Sequence, residues 1–321
     1  MQTQPENNGF SRRKFLTSSS LAAIATWMGP SSFVNFFQEE SPVTKIINAA
    51  ATAQINVQNL RGNISVMEGS GGNIGVFTGS EGKLLVDAGI GVSKKNVSVA
   101  LDSISNEPIK YLINTHWHFD HANGNEWIHD KGATIIAQEK TREHLMKTIR
   151  VVDWNYTFQP LPTSALPTIL YKQDQTLHFN GSPIVIKKYA PAHTDSDSYV
   201  HFPDADILHV ADTWWNNYFP FIDYSTGGNI KGMIHACDEN MAMTTNKTII
   251  IPGHGAVGNR EQMKGFQEML HSVYKKVSEL KKQGRTEKEV IAAKPTKPYD
   301  DVYSRFVING DVFTHLVYMG A

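Results

Sequence analysis

An α/β sandwich of four layers, helices outside and two sheets inside, is the fold that three features of this chain predict. Strand-like and helix-like segments come in two rounds, strands then helices and again strands then helices. Polar residues of metal-binding type stand where β-rich runs stop. A hydrophobic content of 40% with 10% aromatic residues over 321 positions suffices for a sizeable core. In chain order, residues 75–77 and 83–87 read as strands paired across the turn-rich tetrad Gly79-Ser80-Glu81-Gly82. Residues 94–105 have helical character, and 109–114 form a strand running into a histidine-rich segment. A helix starts at 124–130, a short strand follows at 134–137, and 139–150 reads as a charged helix. Residues 176–179 and 184–189 flank Asn180-Gly181, a strong hairpin dipeptide. Residues 260–283 place Met263, Phe266, Leu270, Val273, Val277 and Leu280 at alternating steps of three and four, a stripe that faces a sheet.

The segment Thr115-His116-Trp117-His118-Phe119-Asp120-His121 carries three imidazoles and a carboxylate in six consecutive positions. Imidazole suits zinc and iron, and an adjacent carboxylate adds charge and a proton acceptor, so the cluster reads as a centre that does chemistry. The single cysteine, Cys237, excludes a thiolate zinc ribbon by count and reads as a packed helix residue. Six positions cannot surround two ions, so a dinuclear centre requires isolated donors at later strand ends. His193 follows the apolar run 184–190, Asp212 ends 207–212, and His254 follows Ile249-Ile250-Ile251. His178, His201, His209 and His235 lie outside this pattern and read as surface or hydrogen-bonded residues; Asp195 and Asp197 either tune the site or cap a turn.

These residues resemble the metallo-β-lactamase fold superfamily: a His-x-His-x-Asp-His cluster, then single His, Asp and His, with Asp87 closing the early strand Leu84-Leu85-Val86. The resemblance spans roughly residues 45–260 and implies a four-layer αββα sandwich of the metallo-β-lactamase type. It implies that His116, His118 and His193 hold one metal, that Asp120, His121 and His254 hold the other, and that Asp212 bridges them. Asp87 would orient the ligand loop without touching metal. Two zinc ions per chain are expected, with iron and manganese as alternatives. Asp at 212, where β-lactamases of this fold usually carry Cys or Ser, is similar to the glyoxalase II-like, lactonase-like and nuclease-like branches. Trp215 stands where the cysteine-ligand lactamases hold a Lys for the drug carboxylate. His118 differs from the Glu of the diiron flavoproteins. The mechanism implied is hydrolysis of a small ester, thioester, lactone or related acyl substrate by a hydroxide on a dinuclear zinc site, with Asp120 orienting the nucleophile and passing a proton. Two other classes stay open: an iron-dependent persulfide dioxygenase using His116, His193 and Asp212 with one ion, and a metal-holding accessory protein without turnover.

Trp214, Trp215, Tyr218, Phe219, Phe221 and Tyr224 crowd the stretch after Asp212. They either wall an apolar substrate pocket, with Trp214, Trp215, Tyr218 and Tyr224 as its candidates, or pack a loop on the sheet. Lys and Arg number 30 against 31 Asp and Glu, which leaves no basic excess for nucleic acid. At the start, Ser11-Arg12-Arg13-Lys14-Phe15-Leu16 precedes an apolar stretch over 17–29 and resembles a twin-arginine export signal, so the export machinery is an expected partner and the periplasm the expected location. Cleavage falls near Ala25 or later toward Pro42. The apolar run is too short for about 30 Å of hydrocarbon, so no stable membrane anchor is expected. Residues 1–44 are thus read as signal and leader, and 45–321 as one catalytic domain.

Overall fold

The computed structural model describes residues 41–321, so the Ser11–Leu16 export motif lies outside the described residues. The chain builds strands β1 (Asn56–Asn59), β2 (Ile64–Glu68), β3 (Ile74–Gly79), β4 (Gly82–Val86), β5 (Ile109–Asn114) and β6 (Thr134–Gln138). After a small separate ribbon of β7 (Ile149–Val151) and β8 (Tyr156–Phe158), strand β9 (Ile169–Tyr171) completes a seven-stranded sheet in spatial order β1-β2-β3-β4-β5-β6-β9. Strands β10 (Asp174–Phe179), β11 (Ser182–Lys188), β12 (Ser198–Phe202), β13 (Ile207–Trp215) and β14 (Ile249–His254) form a second sheet in sequence order.

Three apolar clusters make the four layers. Leu84 and Val86 point between the sheets to meet Ile184, Ile186 and Val200, whereas Leu85, one residue out of phase, points outward to Val97 and Leu101 of the helix Lys94–Ile104. The period of two fills both faces because both are covered, which is why these central strands read as continuous apolar runs. On the far side, the helices Ile230–Met243, Arg260–Lys282 and Gly310–Gly320 cover the second sheet. The Arg260–Lys282 stripe is buried at Met263, Phe266, Leu270, Val273 and Val277, and Asn259 and Gln262 start that helix with a reciprocal capping box. Cys237 is buried in the helix Ile230–Met243.

Two expected elements are corrected. The helix expected over 139–150 stops at Leu145, and Ile149–Val151 is a strand. The β-branched run Thr148, Ile149, Val151 and Val152 favours extended backbone there. Asp212 does not end its strand: β13 continues to Trp215, and its pairing with β14 slips on both sides of Ala211, whose φ is +47°. This bulge turns the Asp212 carboxylate into the centre described below instead of along the ladder.

His209 on β13 is wholly buried, and burial pushes its pKa down to about 4. The unfolded chain takes up the proton as pH falls through about 6.5, while the folded ring stays neutral until about pH 4. Stability present above pH 6.5 is therefore lost between these values, by roughly 3 kcal/mol from this ring. In metal-free protein, urea unfolding should show a larger loss from pH 7 to pH 5 for the parent chain than for His209→Gln. Equal losses would assign the acid sensitivity elsewhere.

Candidate metal centre

Asp87 organises the ligand segment. It sits just past β4 at φ +67°, and its backbone N–H donates to the Ile113 carbonyl of the parallel neighbour β5 (2.8 Å). Its Oδ1 accepts from the Thr115 N–H (2.8 Å), and its Oδ2 accepts from the Thr115 hydroxyl (2.7 Å) and from His121 Nδ1 (2.8 Å). With its proton committed to Asp87, the Thr115 hydroxyl accepts from His116 Nδ1 (3.1 Å). The rings of His121 and His116 are thereby oriented through their outer nitrogens. His193 Nδ1 donates to the Phe221 carbonyl (2.8 Å) and His118 Nε2 to Asp223 Oδ2 (3.0 Å). The inner atoms left over are lone pairs aimed at one another, with His193 Nε2 2.8 Å from His118 Nδ1.

Facing donors of this kind repel unless a cation or proton lies between them. The His/Asp cluster contains two sets whose ligand atoms lie within 4.8 Å of one another, His116, His118, His193 and Asp212, and Asp120, His121 and His254, all seven buried. Asp212 stands between the sets: Oδ2 lies 3.2 Å from His193 Nε2, 3.9 Å from His116 Nε2 and 3.5 Å from His254 Nε2, while Oδ1 lies 3.0 Å from His121 Nε2. Asp120 Oδ2 lies 3.2 Å from His254 Nε2 and 3.8 Å from His121 Nε2. His116, His121 and His254 Nε2 and Asp212 Oδ1 are buried with no hydrogen-bond partner, which fits a divalent metal and does not fit a self-contained hydrogen-bond network.

The electrostatics agree. Burial alone would raise the Asp212 carboxyl, but His121, His254 and His193 hold it well below the usual range; burial likewise opposes, and His121 and His254 achieve, a lowering at Asp120. Burial would strip His121 of its proton, yet Asp212, Asp120 and Asp87 raise it well above 6.5; His254, also against burial, is raised to about 9 by Asp212 and Asp120. His116 is lowered by burial and by His121. Without metal, the carboxylates thus favour the protonated rings of His121 and His254, whereas burial favours the neutral rings of His116 and His118; a cation bound by His121 and His254 would displace their protons.

Two glycines make this packing close. A Cβ on Gly253 would lie 1.9 Å from Asp212 Oδ1, and one on Gly72 2.2 Å from His121 Cε1. Only a residue without a side chain lets the backbone approach so near.

Residues 67–292 match the metallo-beta-lactamase superfamily. The chain belongs to that superfamily. Among solved structures, this superfamily member is similar to the stereoselective inverting sec-alkylsulfatase Pisa1 from Pseudomonas sp., at 14% identity and a TM-score of 0.61 over 88% of this chain and 54% of that one. It is also similar to the metallo-beta-lactamase from Pontibacter korlensis (16% identity, TM-score 0.56, 68% of this chain and 99% of that one) and to DIM-1 metallo-beta-lactamase (18%, 0.55, 68% and 97%). The chain spans about half the length of the alkylsulfatase. At such identities the likeness speaks to the fold.

The aromatic residues after Asp212 divide between the two readings given above. Trp214 and Trp215 are consecutive on β13, so they point to opposite sides. Trp215 lines the cavity over Asp120 and His254, its ring 4.3 Å from that of His254. Trp214 is wholly buried in the helix-covered core, and the Tyr224 hydroxyl donates to the Leu316 carbonyl of the last helix (2.7 Å). Tyr218 packs on Phe306 at 5.2 Å and, like Trp214 and Tyr224, is not among the residues lining the cavity. Asp197 caps a local turn, accepting from the Thr194 N–H (2.9 Å) and hydroxyl, and Asp195 pairs with His144 (2.6 Å).

Asp223 escapes sequence reasoning. It is buried in the aromatic stretch, 105 positions from the His118 that it orients, and no local pattern marks it. Asp223→Asn should weaken metal affinity by about 10–100-fold in chelator competition. Unchanged affinity would show that Asp223 only caps the turn at Tyr224–Thr226.

Proposed function

We propose that this protein is a metal-dependent hydrolase of a small ester, thioester, lactone or related acyl substrate, of the branch with a bridging Asp, and that the centre takes two zinc ions. One observation carries the reading: the Asp212 carboxylate stands between the two donor sets, with Oδ1 3.0 Å from His121 Nε2 and Oδ2 3.9, 3.2 and 3.5 Å from His116, His193 and His254 Nε2. His116, His118 and His193 would hold one ion, Asp120, His121 and His254 the other. Bound there, paired zinc ions lower the pKa of water from about 15.7 toward neutrality and polarise an acyl oxygen.

The chain's own groups do the rest. Asp120 lines the cavity, where its carboxylate would accept a proton from the attacking water and return it to the leaving group. Asp87 and Asp223 hold His121 and His118 in place while charge shifts in the site. Trp154, Trp215 and Phe306 close over the centre and keep bulk water out. Metal content by mass spectrometry together with a panel of esters, thioesters and lactones tests this. Two zinc ions per chain with turnover of at least one class is expected; zinc-loaded protein inert on the whole panel refutes the reading.

A further inference from the structure

Above Asp120 and His254 the site narrows to a cavity of about 10 Å³, room for one water. Its walls come from separate stretches of chain: Ile46 on the helix Pro42–Ala50, Trp154 in the turn between β7 and β8, Trp215 at the end of β13, and Phe306 and Val307 before the last helix. Trp154 stacks on Phe221 (4.5 Å between centroids) and stands 5.3 Å from the His118 ring; Phe306 stands 5.8 Å from the His254 ring. Asp120 and His254 are the only ionisable groups among the described residues lining the cavity. Arg305, beside Phe306 in sequence, is exposed, and its Nε donates to the Asp301 carbonyl (2.7 Å).

A substrate must part these walls and leave its hydration shell behind. An apolar group gains by replacing water against the rings. A carboxylate carried on that group, away from the scissile bond, would lose its hydration against aromatic faces, with no Lys or Arg among the described residues lining the cavity to pair it. We propose that this uncharged cover selects the substrate: the group flanking the scissile acyl bond is neutral and apolar, and Trp154 and Phe306 are the residues that grade it. The proposal rests on the acyl-hydrolase reading above and adds the substrate's charge class to it.

Matched pairs test it on the zinc-loaded full chain. Phenyl acetate should exceed 4-carboxyphenyl acetate in kcat/KM by at least about tenfold. Phe306→Arg places a cation at the half-buried rim and should reverse or cancel that preference, while Trp154→Phe should lower kcat/KM for bulky neutral esters more than for the smallest. Equal rates on the charged and neutral esters in the parent chain, or an unchanged ratio in Phe306→Arg, would overturn the proposal. A ketone pair that cannot be hydrolysed, acetophenone and 4-acetylbenzoate, reads the same selectivity by calorimetry. Tighter binding of the neutral ketone with no ester, thioester or lactone cleaved supports the cover's selectivity and removes the hydrolase reading; tighter binding of the charged ketone overturns the selectivity whatever is cleaved.

Discussion

Asp212→Ala should strip metal from both halves of the centre and abolish turnover. Among the described residues no other carboxylate stands between the two donor sets: Asp212 lies within 4 Å of His116, His121, His193 and His254 at once. Orienting partners alone change metal affinity about 10–100-fold, so loss of a directly facing carboxylate should exceed that range for each ion. A second effect belongs to the metal-free protein. Asp212 is the largest charge partner keeping His121 and His254 protonated, so its removal leaves those buried rings with weaker compensation. Breaking a buried pair from one side costs about 3–5 kcal/mol, which denaturant unfolding of chelator-treated protein would register. Asp212→Asn, which keeps shape and loses charge, should fall between. Two ions per chain and near-parental rates in Asp212→Ala would remove Asp212 from the centre.

The donors were legible because each is local to a pattern. His116 to His121 are adjacent in sequence, Asp87 and His254 close apolar strands, and His193 follows one after a short loop. Strand ends are where side chains can leave a sheet and converge, so a polar residue there stands out against its apolar run. What surrounds the donors was not legible, because it arises from contacts over long separations. Asp223 reaches His118, Phe306 reaches His254, and Trp154 reaches Phe221 from parts of the chain that share no periodicity with them. The aromatic stretch shows the limit most directly: whether Trp214 or Trp215 faces the site depends on the left-handed Ala211 and the slipped register it introduces. Alanine gives no sign of such a backbone, since its side chain is compatible with helix, strand and bulge alike.

Gly72→Ala should damage one half of the centre and leave the other. A methyl at Gly72 would sit 2.2 Å from His121 Cε1, 2.5 Å from Nε2 and 2.7 Å from Nδ1, against the whole working edge of the ring. Neither side can retreat. Gly72 N–H donates to the Asp120 carbonyl (3.1 Å), and the next residue, Asn73, is bound through its N–H to the Gly253 carbonyl (2.8 Å) and through its side-chain amide to the carbonyls of Pro252 and Gly255. The ring is held from behind by Asp87. Overpacking of this kind costs about 1–3 kcal/mol, and relief requires His121 to leave its position. The set of Asp120, His121 and His254 should then lose its ion, while His116, His118 and His193, held from behind by Thr115, Asp223 and the Phe221 carbonyl, should keep theirs, so bound metal falls from two per chain to one. Gly265→Ala, on an open face of the helix Arg260–Lys282 with its nearest neighbour at 3.5 Å, is the matched control and should keep both. The same variant separates the chemistries. A hydrolase needing both ions loses its rate along with the second metal, whereas an iron dioxygenase served by His116, His193 and Asp212 would keep oxygen uptake on a persulfide at one ion per chain. Full activity on an acyl substrate with a single remaining ion would show that the Asp120, His121 and His254 set is dispensable for hydrolysis and that the two-ion assignment is mistaken.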